Sequence, residues 1–281
     1  MSETQNLPQY LYHYTSVDSL ALILKHKTIR LNSLDKMDDL QEQMTVDKQN
    51  FGKFVFVSSW TDEETEQIPM WRMYTPPKHY GVRIKLPVNP FVEYQPTLKE
   101  ISEHINAKAV GNPDTKLGFG FVVPFCDIHN GEFTIVNYVK DKLLYKVQYT
   151  NDNELLKPKV LNVVDDKFNT YLEKVGIHKN KYWAFQKEWR YRLMIIPISV
   201  QKMRQDYNSE MGNFQFKTIH GQASLPFNYY DLHIKDECFS DMSIMLAPDI
   251  SESAKTFVNL LVKEYNPHCT IEESTLSNLI Q

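Results

Sequence analysis

The segment from Tyr182 to Ile196 constrains the fold more than any other. Tyr-Trp-Ala-Phe-Gln-Lys-Glu-Trp-Arg-Tyr-Arg-Leu-Met-Ile-Ile reads as an aromatic loop feeding a strongly apolar strand, with its charged residues gathered at the entrance. A second run, Phe54-Val55-Phe56-Val57-Ser58-Ser59, is β-branched and aromatic, as a buried strand in mid-sheet requires. Further strands are expected at Tyr10–Tyr14, Thr28–Leu31, Tyr80–Leu86, Leu144–Tyr149, Ser243–Leu246 and Cys269–Ile271. Thr15-Ser16 caps a helix whose Val17, Leu20, Ile23 and Leu24 share one face. Pro69 opens a short helix through Tyr74 that Pro76-Pro77 stops, and Ser251 caps a helix with Ala254, Phe257, Val258, Leu261 and Val262 inward. Asp35 to Asp47 is acidic and helix-compatible, and Asp62 to Glu66 is an acidic loop. The pattern predicts an α+β fold: a mixed, mainly antiparallel sheet core with flanking helices.

From about Asn89 to Asn180 the pattern loosens, with helices expected near Leu98–Ala109 and Val164–Val175 between polar, proline-bearing loops. Residues 89–180 read as an insertion or variable wall within one domain spanning 1–281. At 281 residues a chain buries roughly 75% of its unfolded surface, so such a domain needs no staples. Cys126, Cys238 and Cys269 are scattered and odd in number, which fits neither a disulfide framework nor a thiolate zinc site. The N-terminal residues lack the basic start and apolar run of a signal peptide, no stretch approaches a membrane span, and a cytoplasmic location is expected. A net charge of −4 excludes a broad basic footprint for polyanions, and Gly118-Phe119-Gly120 lacks the third glycine of a dinucleotide fingerprint.

Three clusters place polar groups beside aromatics at the ends of expected strands: Tyr12-His13-Tyr14-Thr15-Ser16, Pro69-Met70-Trp71-Arg72-Met73-Tyr74 and Glu188-Trp189-Arg190-Tyr191-Arg192. Each also has a structural reading. A strand histidine such as His13 commonly bonds to backbone. Trp71 and Tyr74, three apart on one helical face, suit core packing. Glu188, Arg190 and Arg192 share a strand face and suit a salt-bridge ladder.

The order of these blocks, with the Ile-Met-Leu-Ala-Pro-Asp tail before the last helix, resembles a large bacterial family of proteins of unknown function. A histidine on the first strand, a central aromatic and a glutamate on a late strand also resemble the His-Tyr-Glu type of ADP-ribosyltransferase. That resemblance implies an ADP-ribosyltransferase-like fold and NAD as substrate, with no metal. It implies His13 on an NAD ribose, Glu188 on the nicotinamide ribose, and Tyr74 or Trp71 beside the nicotinamide ring. Gln186-Lys187-Glu188 matches the Gln/Glu-x-Glu pattern before the catalytic glutamate in some transferases.

The chemistry is consistent with this set. Cleavage of the nicotinamide–ribose bond develops positive charge on the sugar, which the Glu188 carboxylate would stabilise. Tyr14, Thr15, Ser16, Trp71, Arg72 and Arg190, with Arg192 beyond them, supply stacking faces and phosphate donors. The expected activity is therefore ADP-ribosyl transfer, as in a toxin or phage-defence effector with an antitoxin or other regulatory partner. A protein acceptor is favoured over nucleic acid, because no lysine- or arginine-rich stripe is present. A non-catalytic nucleotide-sensing module, and a hydrolase or nuclease using His13 and Glu188, remain open readings.

Overall fold

The computed structural model describes residues 7–279 apart from 48, 106–110, 119, 129–130 and 165–166. The chain begins with β1 (Tyr10–Ser16), α1 (Val17–His26), β2 (Thr28–Ser33) and β3 (Val55–Thr61). Ser16 caps α1 by accepting from the Ser19 amide at 3.2 Å. The buried stripe Val17, Leu20, Ile23 and Leu24 lays the helix on the sheet, each residue contributing roughly 1.5–3 kcal/mol. Next come α2 (Ile68–Tyr74), with a proline in its first turn, and β4 (Gly81–Pro87).

The stretch that reads as a wall contains α3 (Leu98–Ile105), α4 (Phe125–Ile128), β5 (Thr134–Ile135), β6 (Leu144–Lys146), β7 (Gln148–Thr150), α5 (Asn153–Leu156), β8 (Leu161–Val164), β9 (Lys167–Thr170) and β10 (His178–Asn180). β11 (Glu188–Ile196) is buried along nearly its whole length. The chain closes through α6 (Val200–Gln205), α7 (Tyr207–Ile219), β12 (Tyr229–His233), α8 (Asp236–Ser240), β13 (Ser243–Leu246), α9 (Glu252–Tyr265) and β14 (Thr270–Glu272).

Among the described residues ten strands form one sheet, antiparallel at every pairing except β13 with β14. The fold is thus mixed α+β with a mainly antiparallel sheet. β3 lies at its centre. One edge of β3 pairs along its length with β11, from Glu188↔Thr61 to Met194↔Val55. The other edge is shared: β2 takes Phe56 and Val57, and β1 takes Thr61. Ser58, Ser59 and Trp60 between them carry no ladder partner on that side among the described residues, so β1 and β2 diverge and leave a notch in the sheet.

Several local expectations change. Val164–Val175 is not helical: β8 and β9 form a hairpin there, followed by a single 3₁₀ turn at Leu172–Lys174. The expected helix to Ala109 is α3, and its last residues fall outside the described ones. Asp35 to Asp47 forms only the 3₁₀ turn Leu34–Lys36, because its carboxylates bond elsewhere: Asp35 to Ser33 and Asn50, Asp39 to the Gln41 amide, and Asp47 to the amides of Val160 and Leu161. On α9, Ala254, Val258 and Val262 face inward but Phe257 is exposed. No helix among the described residues is long and apolar enough to cross a membrane.

Candidate functional site

A cavity of about 370 Å³ fills the notch between β1 and β2. His13, Tyr14 and Thr15 border it from β1, Ser19 and Leu22 from α1, and Ser59 and Trp60 from β3. Tyr74 on α2, Lys179 on β10, and Glu188 and Arg190 on β11 also line it, together with Trp183, Gln186 and the loop residues Asp38 and Asp39.

Four buried charges close one wall. Glu188 Oε1 accepts from Arg190 Nε at 2.6 Å, and Oε2 from Lys179 Nζ at 2.9 Å. The same two cations hold Glu42: Lys179 Nζ lies 2.9 Å from Oε1, and Arg190 Nη2 donates to that oxygen at 2.8 Å. Glu42 Oε2 lies 2.7 Å from Arg190 Nη1, close in charge though outside hydrogen-bond alignment. Arg190 Nη1 also donates to the Gly176 carbonyl at 3.1 Å. Gly176 has φ +77°, and a Cβ there would meet the Leu34 side chain at 3.1 Å, so this approach favours glycine.

Burial alone would raise the pKa of Glu188, but the charges of Arg190 and then Lys179 overcome it and hold the carboxyl at about 2. Glu188 is therefore ionised at neutral pH. Burial lowers the pKa of Lys179, opposed first by the charge of Glu188. Gln186 links the cluster to the aromatic wall: its Oε1 accepts from Lys179 at 2.9 Å and its Nε2 donates to the Tyr74 hydroxyl. Burial, then the Glu188 charge, raises the Tyr74 pKa, so its phenol stays protonated.

Placement of the remaining candidates is mixed. One dinucleotide touching both His13 and Glu188 requires them to face a single cleft, which neighbouring strands would bring about directly. Instead β3 stands between β1 and β11, and the register Tyr12↔Thr61↔Glu188 puts Tyr12 and Glu188 on one face and His13 on the other. His13 Nδ1 pairs with the Ser59 carbonyl at 2.8 Å, its ring packs 4.9 Å from Trp60, and burial lowers its pKa, so it is a neutral imidazole. Both residues reach the cavity because the notch opens the sheet between its faces. Thr15 is buried at the rim, and the Tyr14 hydroxyl lies 3.4 Å from Arg83 Nη1.

Ser16, Trp71 and Arg72 do not line the cavity. Ser16 caps α1. Trp71 is buried edge-on to Tyr14 at 4.8 Å and donates from Nε1 to Glu66 at 2.9 Å. Arg72 lies 3.8 Å from Asp249 on the outer side of α2. Arg192 is fully buried, donating to the carbonyls of Val175 and Glu173 and packed on Tyr145. Glu42 and Lys179 were not singled out from sequence. The Gln-x-Glu pattern pointed at Gln186, whereas Glu42 sits in an acidic run with nothing to distinguish it from its neighbours.

A family model described as "Protein of unknown function (DUF2971)" matches residues 70–191. Those residues include Tyr74, Lys179, Gln186, Glu188 and Arg190, and so most of the charged wall, but neither His13 nor Glu42. No curated protein and no solved structure matches the chain.

Proposed function

We propose that the notch binds NAD and that the chain transfers its ADP-ribose to a macromolecular acceptor. The observation that carries this reading is a carboxylate held ionised at the wall of a cavity, beside aromatic rings and a hydrogen-bonded amide. In the reaction the C1′–N bond of NAD breaks and its electron pair leaves with nicotinamide, which becomes neutral. Positive charge then sits on the ribose, where Glu188 opposes it until an acceptor nucleophile bonds to C1′ and releases its proton. Tyr74 and Trp183 offer faces for the leaving ring. A single ligand touching both Glu188 and His13 must pass through the notch, with the His13 end on the α1 side. A cytoplasmic toxin or defence effector, controlled by a partner, goes with this reading.

A sensing module without turnover is favoured by one fact: both Glu188 oxygens are already engaged by buried cations. A paired acid–base role for His13 and Glu188 fits less well, because the register separates them and Glu188 carries no proton to give near neutrality.

Incubating the protein with NAD, with and without cell lysate, separates the readings. Nicotinamide release only with lysate supports transfer, release without it indicates NAD hydrolysis, and no release in either leaves binding alone. Label from NAD that protease removes and nuclease does not would identify a protein acceptor.

A further inference from the structure

Loop residues 37–47 are inverted in polarity. Glu42 is buried at 1% side-chain exposure, while Leu40, Met44 and Val46 stand 63%, 46% and 59% exposed. Apolar burial by these three side chains is not what holds this loop to the body. Desolvating a carboxylate costs several kcal/mol even when it is paired, and well-packed apolar groups often serve stability better. A glutamate in that position therefore calls for an electrostatic account. Glu42 and Glu188 face Lys179 and Arg190 in a closed ring of two negative and two positive charges, and Asp38, Asp39, Tyr74, Tyr149 and Arg192 are further titratable groups around it.

We propose that Glu42 is a positioning residue of the notch: by sharing Lys179 and Arg190 with Glu188 it balances their charge, so that Glu188 meets the ligand with its negative charge uncancelled. This rests on the reading of the notch as an NAD site. Without Glu42, two cations would oppose one carboxylate. The wall would then be more positive by one charge, which strengthens its attraction for the ligand's phosphates and opposes a cation developing on the sugar. Loss of Glu42's charge should therefore move binding and turnover in opposite directions, whereas a purely structural role would worsen both or neither.

The test compares wild type with Glu42→Gln and with Glu42→Gln/Lys179→Met, using inorganic pyrophosphate as a binding probe and nicotinamide release as the kinetic readout. Assays at about pH 6 keep a desolvated lysine protonated. Glu42→Gln is expected to bind pyrophosphate about tenfold more tightly, and to lower KM for NAD while kcat falls roughly 10- to 100-fold. The double variant, with charges again balanced, is expected to return to wild-type pyrophosphate affinity. Unchanged or weaker pyrophosphate binding by folded Glu42→Gln overturns the proposal. Should that variant fail to fold, folding and wild-type pyrophosphate affinity of the double variant support charge balance, and unfolding of both overturns it. Tighter pyrophosphate binding without nicotinamide release from any form, wild type included, supports the charge balance and sinks only the transfer reading.

Discussion

Glu42 and Glu188, from a loop near the start of the chain and from a central strand, are held by the same two cations, Lys179 and Arg190. None of the four side chains is more than 8% exposed. The ring therefore ties β10, β11 and the 37–47 loop together at the cavity wall.

Arg190→Ala removes one cation and leaves two buried carboxylates against one lysine. Breaking a buried pair in this way costs about 3–5 kcal/mol, a large part of the roughly 5–15 kcal/mol that holds a domain together. Urea unfolding is expected to show a fall of that size. A change under 1 kcal/mol would mean that solvent already screens the ring.

His13 gives the pH dependence a definite sign. Its folded pKa lies below the ordinary histidine value because burial disfavours the cation. As pH falls through about 6.5 the unfolded chain takes up the proton first, so stability is lost on acidification. His178 is shifted the same way and adds to the effect. The melting temperature is expected to fall between about pH 7.5 and 5.5, and to fall less in His13→Asn, whose amide still donates to the Ser59 carbonyl. The loss from protonating Glu188 comes lower, between the ordinary carboxylate range and about 2. An equally steep profile in the variant would remove His13 from this account.

Trp71 belongs to a small core with Tyr14, Met70 and Ala247 rather than to the cavity. Trp71→Ala is expected to cost about 3–5 kcal/mol of stability. Nucleotide affinity, measured calorimetrically on folded protein at low temperature, should not change. Loss of affinity without loss of stability would return Trp71 to the site.

The parts of the fold legible in the sequence are those where burial imposes a period. The stripe Val17, Leu20, Ile23 and Leu24 and the near-continuous burial of Trp189 to Ile195 are of this kind. β8, β9 and the helices α6 and α7 were not readable. Val164–Val175 mixes apolar and charged residues at neither period, and α7 buries only Phe214, Gln215 and Thr218. Glu188 and Tyr74 were found because they stand in aromatic blocks. Glu42 and Lys179 were hidden because a buried ion pair is a property of two distant positions, and each alone looks like a solvated charge. Register, not residue type, decided the relation of His13 to Glu188.

The central claim rests on Glu188, and the most direct measurement is nicotinamide release from NAD, in the presence of lysate, by wild type and Glu188→Gln, alongside NAD affinity. The amide keeps the shape and loses the charge that matters as the sugar becomes cationic. The account predicts a fall in kcat of roughly 10²- to 10³-fold in a variant that is less stable but still folded and still binds NAD. Wild-type rates from Glu188→Gln, or no nicotinamide release from the wild-type protein, would contradict it.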